Sequence, residues 1–246
     1  PRSTLFPYTT LFRSVGLCCN NKCCMVKLFN RKQMTELIKM IAVIDYGAGN
    51  IRSVYKALKH IGCECVITRD KDEIMNADGA VLPGVGSFGD TMDTMNSYGI
   101  KDTVIDYINS EKPFLGICLG LQLLFPESEE SPNVKGLSVF DGTITKIPSG
   151  EGLKIPHIGW NSLKINENSR LFKGIEQNAY VYFVHSYFLN ASDRSIVSAQ
   201  TEYGVTIDAA VEKGNVFATQ FHPEKSGKTG LKILRNFADI VKGREE

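Results

Sequence analysis

The chain has 246 residues, ample for one α/β domain with a full core and short for two. At 43% hydrophobic and 22% charged it has the composition of a soluble globular protein, and no apolar run approaches the roughly 20 residues a membrane span requires. The formal net charge of +1 hides a division: seven of the 28 basic residues but only one of the 27 acids lie in the first 39 positions, leaving the rest at −5, which gives no reason to expect nucleic-acid binding.

Those first 39 residues also hold four of the seven cysteines, Cys18, Cys19, Cys23 and Cys24. Zinc binding would need a more usual ligand spacing than C-C-x3-C-C and has no histidine to draw on. A targeting peptide would suit the basic, acid-poor composition, but no apolar stretch followed by a small-residue cleavage site marks a secretory signal. The opening PRSTLFPYTTLFRS resembles translated sequencing-adapter sequence. Residues 1–39 are therefore read as a non-native or disordered leader, with the folded domain spanning 40–246. The remaining thiols, Cys63, Cys65 and Cys118, make a poor disulfide framework and suit a reducing, cytoplasmic location.

From Met40 the pattern alternates. MIAVIDY is a continuous apolar run, as expected of a strand buried on both faces. IRSVYKALKHIG follows at helical spacing and is closed by Gly62. ECVITRD predicts a second strand, KDEIMNAD a short helix, and GAVLPGVG a third strand running into a glycine-rich loop. One helix is expected through TMDTMNSYGIKDTVIDYINS, and PFLGI is the next strand. This order predicts an α/β fold: an open mixed, mostly parallel sheet flanked by helices. Beyond Phe125, PESEESPNVKG reads as a polar loop. SVFDGTITKI, YVYFVHSYFLN, SIVSAQTEYG, IDAAVEKG and VFATQFHPE read as short strands of a mixed second half. GLKILRNFADIVK closes the chain as an amphipathic helix.

The strongest local signal is PFLGICLGLQLLF. A strand runs into Cys118 and a helix is expected to start at once, with Gly116 and Gly120 two residues to either side. This is the cysteine form of the strained strand-to-helix turn that exposes a nucleophile. The glycines remove side chains that would collide, a helix N-terminus favours thiolate over thiol, and the Leu119 N–H points where an oxyanion would form. A plain core cysteine is the competing reading, which the paired glycines oppose.

A thiolate needs a proton carrier, and the chain has four histidines: His60, His157, His185 and His222. His60 falls on the polar face of the first predicted helix. His222 ends an apolar strand with Glu224 two residues on, on the same side of an extended segment, where the carboxylate can fix the imidazole's tautomer and raise its basicity. HPE alone would be weak; about a hundred residues after an elbow cysteine it is strong.

GICLGLQ followed far downstream by FHPE resembles the class I (triad) glutamine amidotransferases. IDYGAGN, LPGVGSF, IPHIGWN, YFVHSYF and QFHPEKSG are similar, within them, to the glutaminase subunits of imidazole glycerol phosphate synthase, across all of residues 40–246 and none of 1–39. The resemblance implies that Cys118 attacks the glutamine carboxamide, that His222 shuttles the proton and that Glu224 orients it. It implies an oxyanion hole from Leu119 and the Gly84-Val85 peptide, the loop reorienting when the partner's substrate is bound. It implies glutamine binding by Gly86, Gln122, Glu130, His185, Ser186 and Tyr187, with no cofactor and no metal. Ammonia would pass to a (β/α)8 cyclase on a separate chain, which makes imidazole glycerol phosphate and AICAR from PRFAR. The interface candidates are Asn50, Pro156, His157, Trp160, Asn161 and Lys225. The rival readings are another class I glutaminase, a non-catalytic docking module and a cysteine peptidase.

Overall fold

The computed structural model describes residues 39–47, 50–150 and 152–244. The readings of residues 1–38 lie outside them; Lys39 is described and pairs with Asp78 at 2.7 Å. Parallel strands β1 (Met40–Ile44), β2 (Glu64–Thr68), β3 (Gly79–Gly84) and β4 (Phe114–Cys118) lie in the spatial order β2-β1-β3-β4. β1 beyond exposed Met40, β3 and β4 are buried on both faces, as their apolar runs require, while β2, at the sheet edge, is only partly buried. Alternate side chains feed two cores. Ile41, Val43, Val81, Leu115 and Ile117 pack under α1 (Ile51–His60) and the closing helix. Ala42, Ile44, Ala80, Leu82 and Phe114 pack on the other face, under α2 (Lys71–Asn76), α3 (Phe88–Ser97) and α4 (Ile100–Asn109).

The single helix expected over 91–110 is two. Gly99 adopts φ +67°, a left-handed turn that ends α3 and opens α4. α3 also begins earlier than expected, because the Ser87 hydroxyl caps it by accepting from the Asp90 N–H. The helix after Cys118, α5, is only Leu119–Gln122. Pro126 has no N–H to offer the Gln122 carbonyl, and the carbonyls of Leu123 and Leu124 are taken by the N–H groups of Leu137 and Val139.

The second half extends the same sheet. β5 (Glu127–Ser128) and β6 (Gly142–Lys146) lead to β7 (His157–Ser162) and β8 (Lys164–Ile165). β9 (Tyr180–His185), β10 (Tyr187–Ala191), β11 (Val197–Glu202), β12 (Thr206–Lys213) and β13 (Val216–Thr219) follow, and α6 (Gly227–Val241) covers the first core. β13 is parallel to β4 and antiparallel to β12, so the chain inserts a returning strand beside the nucleophile's strand. YVYFVHSYFLN is not one strand: it breaks at Ser186, where β9 pairs with β7 in a separate two-stranded sheet and β10 joins the main one. β7, which no expectation covered, comes from HIGWNS. The expected mixed, mostly parallel, helix-flanked sheet is what forms.

Candidate active site

Cys118 is the last residue of β4 and holds φ 56°, ψ −107°, the strained conformation expected of an exposed nucleophile. The glycines around it are needed for contact rather than for dihedral freedom. A Cβ on Gly120 would lie 2.0 Å from the Leu82 carbonyl oxygen, and one on Gly116 would lie 2.6 Å from the Gly120 oxygen. A Cβ on Gly84 would meet the Gly120 nitrogen and the Leu119 Cβ, each at 2.7 Å. β3, β4 and the turn after Cys118 are thus packed backbone to backbone, which fixes the sulfur.

His222 follows β13, the strand beside β4, and is fully buried. Its Nδ1–H donates to Glu224 Oε1 at 2.8 Å, leaving Nε2 as the nitrogen that can serve the sulfur. Nε2 has no hydrogen bond of good geometry, yet the sulfur is near enough to act on it. Burial pushes the imidazole down, but Cys118 and Glu224, through hydrogen bonding and charge, outweigh it and hold the pKa at about 9. Asn50, at the head of α1 with φ 73°, donates from Nδ2 to the same Glu224 Oε1 and lies 3.4 Å from His222 Nδ1. The sequence reading placed Asn50 at an interface; its amide also reaches the triad carboxylate.

A cavity of about 300 Å³ opens over the sulfur, lined by Val85, Gly86, Cys118, Leu119, Gln122, Glu130, Pro156, Val184, His185, Ser186, Tyr187 and His222. It gathers every expected glutamine-binding residue. Glu130 reaches it from the loop after β5, its carboxylate accepting from the Phe88 N–H at 2.7 Å. Gln122 donates from Nε2 to the Tyr187 carbonyl at 3.0 Å and to Gln220 Oε1 at 3.1 Å. His185 has both ring nitrogens engaged: Nδ1 lies 2.9 Å from the Tyr187 carbonyl, which can only accept, so Nε2 accepts from His157 Nδ1 at 3.1 Å. Burial drives His157 to about 4 and His185 to about 3, so both are neutral. Gly84 and Glu224 stand behind the cavity wall, and Tyr46 is buried next to Gly84 with its hydroxyl unpartnered and its pKa pushed up by burial. Of the interface candidates, Trp160 is 54% exposed, Pro156 and Lys225 are exposed and Asn161 is half-buried; His157 turns inward, 3% exposed, and stacks on Tyr203.

Sequence reasoning missed Gln220, fully buried, whose Nε2 lies 3.7 Å from the Cys118 sulfur. The available signal was a lone amide in the otherwise apolar run VFATQF. A larger cavity, about 730 Å³, lies at the start of β13, where Arg170 is engaged by Glu212 and Asn215. No group of three or more metal-ligating side chains occurs among the described residues, and no helix among them is long and apolar enough to cross a membrane.

The glutamine amidotransferase class-I family model matches residues 42–241. The chain is 50% identical over 203 residues to imidazole glycerol phosphate synthase subunit HisH of Caldanaerobacter subterraneus subsp. tengcongensis, covering 82% of this chain and 99% of that one. It is equally similar, 50% over 203 residues and 82% against 100% coverage, to the subunit of the same name from Methanothermobacter thermautotrophicus. Among solved structures, PurLQS from Thermotoga maritima superposes with a TM-score of 0.65 at 22% identity, over 83% of this chain and all of the matched one, a likeness of fold.

Proposed function

The chain belongs to the class-I glutamine amidotransferase family, and from that premise we propose how its residues act. It is a glutaminase of histidine biosynthesis, the glutamine-hydrolysing subunit of an imidazole glycerol phosphate synthase, as the 50%-identical relatives indicate. Cys118 thiolate adds to the carboxamide carbon, and the oxyanion is met by the Leu119 N–H and by an N–H of the Gly84-Val85 segment. The tetrahedral adduct collapses as His222 Nε2–H gives its proton to the amide nitrogen, which leaves as ammonia, and a γ-glutamyl thioester remains. Water then attacks the thioester, His222 takes its proton, glutamate leaves and the thiolate returns. Glu224 keeps the imidazole in the tautomer that leaves Nε2 facing the sulfur, and Asn50 supports Glu224. Gln122, Glu130 and the 185–187 corner hold the α-amino and α-carboxylate groups of glutamine. Ammonia passes to a (β/α)8 cyclase chain, which docks around Trp160, Pro156 and Lys225.

The observation that carries this reading is that the ends of two adjacent strands bring Cys118 and His222 to one cavity, with Glu224 behind it on the imidazole. The test is glutamine hydrolysis by the chain alone, with the cyclase, and with the cyclase plus its ribonucleotide substrate. Turnover should rise with each addition; no response to the cyclase and its ligand would sink the assignment to this synthase.

A further inference from the structure

The expected helix N-terminus is a weak source of thiolate stabilisation here, because α5 has four residues and sums few peptide dipoles. Another donor is in place. Gln220 is fully buried immediately after β13, and its Nε2 lies 3.7 Å from the Cys118 sulfur. Which end of its amide faces the sulfur follows from the rest of the chain. The Tyr187 carbonyl can only accept, so Gln122 must present its NH₂ there. The second hydrogen of that NH₂ goes to Gln220, which must therefore turn its oxygen towards Gln122 and its own NH₂ towards Cys118. Reversing Gln220 would set two NH₂ groups against each other and an oxygen against the sulfur.

We propose that Gln220 is a catalytic residue, a fixed N–H donor to the Cys118 thiolate on which the chemistry begins and which deacylation releases. The proposal deepens the glutaminase reading and rests on it. A thiolate accepts such a bond more strongly than a thiol or a thioether sulfur. The bond is therefore strongest to the attacking thiolate, weakens when sulfur bonds to the substrate carbon, and re-forms as the thioester breaks. The donor lies on the segment that runs from the end of β13 to His222, so N–H and imidazole reach the sulfur from one stretch of chain.

The test is the rate of Cys118 alkylation by iodoacetamide in the full chain, read by mass spectrometry on the Cys118 peptide, for wild type and Gln220→Met. Losing one charge-assisted donor should slow alkylation at pH 7 about tenfold. Equal rates at pH 7, with only a higher KM for glutamine, would mean that Gln220 merely holds Gln122 and would overturn the proposal. Should the variant not fold, the wild-type chain labelled with ¹⁵N-glutamine decides. The Gln220 side-chain amide signal should move with pH in step with the Cys118 alkylation rate, and a signal indifferent to pH overturns the proposal. A wild type that neither alkylates at Cys118 nor hydrolyses glutamine would instead remove the glutaminase reading itself.

Discussion

Replacing Glu224 by glutamine removes a charge from a carboxylate whose side chain is wholly buried, 2.8 Å from His222 Nδ1, while keeping its shape. In the folded chain His222 is raised from its ordinary 6.5 to about 9, against the pull of burial. That rise corresponds to about 3 kcal/mol in favour of the imidazolium. Cys118 and Glu224 both contribute, so loss of the Glu224 charge should lower the His222 pKa by about 1–2 units, burial being unopposed on that side. Because His222 must carry a proton to expel ammonia, the alkaline limb of glutamine hydrolysis should lie near pH 9 in the wild type and move down by that amount. The assay is kcat/KM for glutamine between pH 6 and pH 10.5, with the His222 ring followed by NMR titration in parallel. The stability linkage has the same origin. A folded pKa above the unfolded one contributes stability that is fully present below pH 6.5 and lost as pH rises through about 9. The variant should lose less stability across that window than the wild type. An alkaline limb that stays put, or moves upward, would refute the role given to Glu224.

Three further outcomes follow from the packing. Gly120→Ala puts a Cβ 2.0 Å from the Leu82 oxygen, so the turn must shift by about 1 Å; glutaminase activity should fall roughly 100-fold or more, with a lower melting temperature. Asn50→Ala takes a donor from the buried Glu224 carboxylate, worth roughly 1–3 kcal/mol; kcat and the melting temperature of the isolated chain should both drop, which a purely interfacial Asn50 would not do. Arg194→Ala strips Asp208, whose side chain is 3% exposed, of its guanidinium, although the Ala191 N–H and the Gln200 amide remain. With Arg194 half in water, the loss should be roughly 2 kcal/mol, seen as a midpoint shift in urea at an unchanged slope.

The residues legible in the sequence are those whose meaning is local. Cys118 between two glycines at a strand end, and His222 two residues from Glu224, are patterns within a few positions. The structure brings the two together because β13 lies beside β4. Gln220 and Asn50 were not legible as triad partners, since their contacts with Cys118 and Glu224 span 102 and 174 positions and depend on that strand order. His157 is an interface candidate in the sequence as part of PHIGWN; only the β7–β9 pairing shows that alternation turns it inward opposite His185 while Ile158 and Trp160 stay exposed. The helix break at Gly99 could have been argued from its glycine. The break of YVYFVHSYFLN at Ser186 could not, because an apolar run carries no mark of which sheet it joins.

The central claim is that Cys118 makes the ammonia that the synthase consumes, and the Cys118→Ala chain assembled with the cyclase tests it most directly. Product formation should be abolished with glutamine as nitrogen source and retained with added ammonium salt. Glutamine-dependent synthesis that survives the substitution would contradict the account.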